Sequence, residues 1–250
     1  MNKRFERAIV VGASSGIGAA LARQLAGQGA RVALVARRGD ELEKVAEGIR
    51  TAWGSDKAIV RTNDVTDVDA ASTLFSELVE ELGGLDFICY AAGVMADVGP
   101  DEYPTDKDLK ILQVGLSGAF AWLNPAADYF QKQKRGAIVG IGSIAGDRGR
   151  RAYPSYHATK AGFATWLESL RNRLTQHGVR VTTIKPGFID TAMTRGMDGL
   201  FWVKTADEAA ASILHAAQKG KQTVYVPARW RLVSLVIRSI PSFIFRRMSI

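Results

Sequence analysis

Tyr156 and Lys160 stand four residues apart in YHATK, so on a helix their phenol and ammonium lie on one face, a turn apart. An unperturbed tyrosine titrates near ~10 and is a poor proton shuttle at neutral pH unless nearby positive charge favours the phenolate. Lys160 is placed to supply that charge. Ser143 lies thirteen residues before Tyr156, at the end of the apolar run GAIVGIGS. A side chain at the carboxyl edge of a parallel sheet faces the ligand crevice. There its hydroxyl either binds a carbonyl oxygen, helping Tyr156 to stabilise charge as hydride arrives, or caps the following turn. If hydride is to arrive at that carbonyl, a source must lie beside it, and a second group of residues bears on this.

The run AIVVG passes into Gly12-Ala13-Ser14-Ser15-Gly16-Ile17-Gly18, and a helical pattern begins at once. Glycines in a strand-to-helix turn let the backbone approach a pyrophosphate at a helix N-terminus. Three residues separate Gly12 from Gly16, where the common dinucleotide fingerprint has one. The next apolar run ends at Ala36, where an NAD enzyme usually places a carboxylate for the adenine ribose. Arg37 and Arg38 follow instead. A guanidinium fork suits a 2′-phosphate and stacks on adenine, which points to NADP(H). Asp64, in NDVTD, serves either to cap the next turn or to accept from the adenine amino group. Lys160 acquires a second task here, hydrogen bonding the nicotinamide ribose and so fixing the ring relative to the acid.

These residues need a frame. The runs AIVVG, RVALVA, AIVRT, LDFICY, AIVGIG, RVTTIKP and TVYVP read as seven strands. Between most of them, apolar residues recur at three- and four-residue spacing, as in Ile17-Ala20-Leu21-Leu25 and Leu74-Leu78-Leu82. Continuous apolar strands are buried on both faces, so the pattern predicts one doubly wound α/β domain, a seven-stranded parallel sheet with helices on both sides. With no repeat or linker to divide it, this Rossmann-type unit is expected to span residues 1–227, leaving 228–250 as an extension. After the sixth strand, Pro186-Gly187 forms a rigid turn. Thr191, four residues on, is suited to hold a carboxamide or phosphates.

GASSGIG, NDV, Ser143, YHATK and PGFIDT occur in the order and spacing of the short-chain dehydrogenase/reductase family, which the chain resembles over roughly residues 5–227. The resemblance implies NAD(P)(H)-dependent alcohol or ketone chemistry. It makes Tyr156 the general acid/base, Lys160 its activator and ribose ligand, and Ser143 the carbonyl orienter. It also places Ser14, Ser15, Ile17, Val65, Ala92, Gly93, Pro186, Gly187, Ile189 and Thr191 at the cofactor, and implies a homodimer or homotetramer. Two departures stand out. Tyr90-Ala91-Ala92-Gly93 replaces the family's Asn-Asn-Ala-Gly, and the family's catalytic asparagine aligns with Gly115. A glycine inside a helix costs about 1 kcal/mol relative to alanine, so tertiary fit is expected to favour it. The loss of that asparagine supports a second expectation, a cofactor-binding regulator with weakened turnover.

The chain has 250 residues, 47% of them hydrophobic, which suits one large α/β domain. A single cysteine, Cys89, cannot form an internal disulfide, and the N-terminus lacks the apolar stretch of a secretory signal, so a cytoplasmic setting is expected. No metal cluster is read from the motifs. The +8 net charge is concentrated at the end: after Glu208 there are seven Lys/Arg and no Asp/Glu. Basic residues elsewhere are not interleaved with aromatics, which argues against nucleic acid as partner. Substrate contacts, to a carbonyl or alcohol, are expected from residues 94–103, 145–153 and 188–203. The apolar cast of Met193, Met197, Leu200, Phe201 and Trp202 suits a lipophilic ketone or aldehyde. The tail, RWRLVSLVIRSIPSFIFRRMSI, is too short and interrupted to span a bilayer. It reads as an amphipathic helix with Arg231, Ser234 and Arg238 on one stripe and Trp230, Val233, Ile237 and Ile240 at apolar positions. It is expected to pack on its domain or close a subunit interface, to lie in an anionic membrane surface, or to act as a lid.

Overall fold

The computed structural model describes residues 4–99 and 101–248. Residues 1–3, 100, 249 and 250, which belong to the expected N-terminal unit, the first substrate segment and the extension, lie outside the described residues. The seven apolar runs form strands β1 (Arg7–Val11), β2 (Arg31–Ala36), β3 (Ala58–Thr62), β4 (Phe87–Tyr90), β5 (Gly136–Ile141), β6 (Val179–Pro186) and, after a small pair β7 (Ile189–Asp190) and β8 (Lys204–Thr205), β9 (Thr223–Val226). The main sheet is parallel throughout, in the order β3-β2-β1-β4-β5-β6-β9. The pair β7–β8 stands apart as a two-stranded sheet that periodicity does not reveal.

Alternation along the strands explains why helices cover both faces. In β1, Ala8 and Val10 enter one apolar core while Ile9 and Val11 enter the other. The first core is closed by α1 (Gly16–Gly27), α2 (Gly39–Trp53) and, later in the chain, α7 (Ala206–Gln218). On the opposite side α3 (Val68–Leu82), α5 (Gly118–Gln133) and α6 (Pro154–Leu174) pack through Phe75, Leu78, Trp122, Phe130, Phe163 and Leu167. Each fully buried Leu, Ile or Phe is worth about 1.5–3 kcal/mol relative to exposure. Cys89 is buried in β4, and burial pushes its thiol upward, which keeps it protonated.

The strand order reverses between β1 and β4, and in such sheets the crevice lies outside the carboxyl ends of the strands at that point. Helix α4 (Thr105–Leu112) runs directly into a π-helical turn at Gln113–Ser117, which continues into α5. After β9 come α8 (Trp230–Ser239) and the single turn α9 (Ser242–Phe245).

Helix α8 corrects the expected orientation of the tail. Ser234 does not share an outward stripe with Arg231 and Arg238; it is buried beside Trp230, and Leu232, Leu235 and Val236 face solvent instead. The reason is a polar anchor: the Ser234 hydroxyl donates to Asp147 (2.6 Å) and lies 3.1 Å from the Tyr225 hydroxyl. Among the described residues no helix is long and apolar enough to cross a membrane.

Candidate active site

The glycine turn is dictated by backbone contact. Gly12 has φ +90°, and a Cβ there would meet the Ala92 backbone nitrogen at 2.5 Å. A Cβ on Gly18 would lie 2.2 Å from the Gly12 carbonyl oxygen. These two glycines therefore let α1 start against β1 and β4, while Gly16 (φ +53°) borders the crevice beside Thr191. Ser14, Ser15, Ile17, Arg37, Arg38, Asp64, Val65, Ala92, Gly93, Pro186, Gly187, Ile189 and Thr191 line that same cavity of about 520 Å³, together with Ser143, Tyr156 and Lys160. All sixteen positions singled out from the sequence thus lie around one hollow with Gly12, Gly16 and Gly18.

The two arginines differ. Arg38 reaches across to the glycine turn, donating to the Ser14 hydroxyl (3.0 Å) and the Ser15 hydroxyl (2.7 Å). This cluster of one guanidinium and two hydroxyls presents donors at the cavity edge and leaves the hydroxyl protons free. Arg37 pairs with Asp64 at 3.3 Å and remains largely in water. Asp64 also accepts from the Thr66 backbone and hydroxyl, which closes the turn as one of its two expected roles requires. The Thr66 amide holds its carboxyl below the usual range, the Thr66 hydroxyl and Arg37 adding to the effect.

At the other end of the cavity, Tyr156 sits in the first turn of α6, which starts with Pro154 after Tyr153 in a left-handed conformation (φ +55°). Ser143 caps the turn Ile144–Asp147, its Oγ accepting from the Ala145 amide at 3.0 Å. Capping engages an acceptor lone pair only, and the same hydroxyl draws the pKa of the Tyr156 phenol downward. His157 holds the same turn from α6, its Nδ1 2.5 Å from the Ala145 carbonyl oxygen. Lys160 is buried and donates to the Ile141 carbonyl at 2.9 Å.

The electrostatics depart from expectation. Burial pushes the Tyr156 phenol above its ordinary value, and Ser143 draws it only partly back. Lys160 does not bring the phenol down: its ammonium lies 5.6 Å from the ring centroid, and burial lowers its own pKa to about 8. Both shifts have one cause, since a dry pocket disfavours either charge alone. At neutral pH the pair is a protonated phenol beside an ammonium.

Gly115 has a packing explanation. It lies in the π-helical turn, and a Cβ there would meet Thr159 Cγ2 at 2.5 Å. Thr159 is buried on α6, between Tyr156 and Lys160 in sequence. Gly115→Ala is therefore expected to destabilise the fold by about 1–3 kcal/mol by overpacking. Thr159→Ser, which removes the methyl, should restore most of the loss; thermal denaturation of the single and double variants checks this. Tyr90, the other departure, donates its hydroxyl to the Val114 carbonyl (2.6 Å) inside the π-helical turn. A Cβ on Gly118 would lie 2.6 Å from the same hydroxyl, so Tyr90 and Gly118 fit as a pair.

Val94, Met95, Val114 and Met193 give the cavity an apolar side. Within the 145–153 segment, Asp147 and Arg148 turn toward α8. Asp147 accepts from Lys185, Tyr225 and Ser234, and Arg148 donates to the Ile237 and Ile240 carbonyls, 2.5 Å each. Trp230, the first residue of α8, lies against Gly187, where a Cβ would be 2.0 Å from its Nε1, and against Phe188, Phe201 and Trp202. No local sequence signal joins residue 230 to residue 187. Among the described residues no cluster of three His, Cys, Asp or Glu is suited to a metal.

Comparison with known proteins follows the same lines. The sequence profile of the short chain dehydrogenase family matches residues 6–198. An uncharacterised oxidoreductase of Mycobacterium tuberculosis is 32% identical over 240 residues, 96% of each chain. One from Myxococcus xanthus is 36% identical over 190 residues, 76% of this chain and 74% of that one. Among solved structures, a short-chain type dehydrogenase/reductase from Mycobacterium marinum superposes with a TM-score of 0.79 at 26% identity, covering 88% of this chain and 93% of that one. An actinorhodin polyketide ketoreductase variant crystallised with NADPH gives 0.79 at 25% identity, covering 92% and 98%.

Proposed function

The chain belongs to the short-chain dehydrogenase family of oxidoreductases, and on that premise we propose that it is an NADPH-dependent reductase of a lipophilic ketone or aldehyde. The observation that carries this reading is the meeting of Ser143, Tyr156 and Lys160 with the glycine turn and Arg38 around one cavity. The residues present suit a dinucleotide: a side chain on Gly12 would collide with the Ala91–Ala92 backbone and one on Gly18 with the Gly12 carbonyl, and donors stand at both ends. Arg38, Ser14 and Ser15 would hold a 2′-phosphate, and Lys160 and Thr191 the nicotinamide half.

NADPH, when bound, supplies the hydride. The chain's residues do the rest. Ser143 orients the carbonyl oxygen and Tyr156 donates its phenolic proton to that oxygen as charge develops, while the buried Lys160 ammonium would hold the nicotinamide ribose in register with the acid. The apolar side formed by Val94, Met95 and Met193 favours a lipophilic substrate. Exposed Leu109 and Leu112 on α4 offer an apolar contact for a homodimer or homotetramer. Consumption of NADPH across a panel of ketones and aldehydes tests the reading; binding without consumption by any of them would favour the regulator that Gly115 suggests.

The protonation states set a pH dependence. Reduction needs the protonated phenol and the ammonium, and Lys160 loses its proton as pH rises through about 8. The kcat/KM for reduction is therefore expected to be level below that pH and to decline above it. Alcohol oxidation, which needs the phenolate, should rise with pH instead. A reduction profile that climbs through pH 8 would contradict the assignment.

A further inference from the structure

We propose that the outward face of α8 and α9 is a docking surface for an anionic lipid bilayer. Helix α8 is held firmly by its inner side: Trp230 against Gly187 and Phe188, Ser234 on Asp147, and the carbonyls of Ile237 and Ile240 on Arg148. That anchoring leaves Leu232, Leu235 and Val236 outward, 68%, 65% and 62% exposed. At 100° per residue the three share one side of the helix, with Arg231 and Arg238 along one edge. Phe243 and Ile244 extend the exposed apolar surface through α9, and exposed Arg246 and Arg247 follow them. At the start of α8 the Arg229 guanidinium stands over the Trp202 ring at 4.5 Å, beside the partly exposed Phe201.

Isolated exposed leucines mean little, but a contiguous apolar strip bordered by one sign of charge marks an interaction surface. The charge selects the occupant. From residue 209 onward the chain has no Asp or Glu, so two copies meeting face to face would oppose arginine to arginine. An anionic bilayer provides the complementary charge for the arginines and an apolar boundary for Leu232, Leu235 and Val236. Tryptophan beside arginine is also the pairing suited to the headgroup level. A ten-residue helix cannot span, so it lies in the plane of the surface. Through Trp230 and Ser234 the inner side of the same helix packs on Gly187, which lines the crevice, and on Asp147 in the turn after Ser143.

Sedimentation of the full-length chain with phosphatidylglycerol/phosphatidylcholine vesicles, and with phosphatidylcholine vesicles alone, tests the proposal without requiring turnover. The chain should sediment with the anionic vesicles only, and raising the salt from physiological levels should release it. Arg231→Gln with Arg238→Gln should weaken binding about tenfold or more, and Leu232→Ser with Leu235→Ser should also weaken it. NADPH binding and oligomeric state, measured on each variant, separate loss of docking from loss of folding. The idea is overturned by equal sedimentation with both vesicle types or by none with either. It is also overturned if the leucine pair changes the subunit count, which would make the face a contact between copies of the chain.

Discussion

Tyr156→Phe is expected to lower kcat/KM for carbonyl reduction about 10²–10⁴-fold, the contribution of a positioned general acid. The same factor should appear in kcat, because the lost interaction forms only as the carbonyl oxygen gains charge. Binding of NADPH should change little, since the variant removes one oxygen and leaves the glycine turn, Arg38 and Lys160 in place. The phenol's surroundings make it a proton donor: burial keeps it protonated at neutral pH, and Ser143 draws it only partly back. Steady-state rates paired with fluorescence titration of NADPH check both halves. Activity close to that of the unmodified chain would remove Tyr156 from the chemistry.

The second large effect concerns cofactor choice. Arg38→Ala should raise the Kd for NADPH about 10- to 100-fold, from the loss of charge-assisted bonds worth about 1.5–3 kcal/mol. The Kd for NADH, which lacks the 2′-phosphate, should change far less. Arg37→Ala should have a smaller effect, about threefold, because that side chain is exposed and paired with Asp64, and solvent weakens such contacts. Isothermal titration with both dinucleotides distinguishes the two arginines. Tighter binding of NADH than NADPH by the unmodified chain would reverse the preference.

Much of this was legible in the residues because the determinants are local. The seven apolar runs each became a strand of the parallel sheet, since their composition and the helical spacing between them leave one arrangement that buries both faces. Glycines 12 and 18 mark a turn whose requirement is steric, and YHATK needs only a helix to bring Tyr156 and Lys160 to one side. The failures involve partners far away in the chain. Helix α8 is apolar on more than one side, and the choice of inner face was made by Asp147, 87 residues from Ser234. Gly115 could be compared with an asparagine but not understood until Thr159 stood against it. Tyr90 stood out only as a departure from the family's Asn-Asn-Ala-Gly, whereas its hydroxyl reaches Val114, 24 residues on. The direction of the Tyr156 shift depended on burial, a property of the assembled pocket and not of the spacing to Lys160.

The central claim is that hydride from the nicotinamide reaches a carbonyl carbon while Tyr156 protonates the oxygen. It is tested most directly by supplying NADPH deuterated at the transferring position with a lipophilic ketone and weighing the alcohol. The account predicts one deuterium on the carbinol carbon from the unmodified chain and almost none from Tyr156→Phe under the same conditions. Alcohol formed without deuterium, or equal deuterium transfer by both proteins, would contradict it.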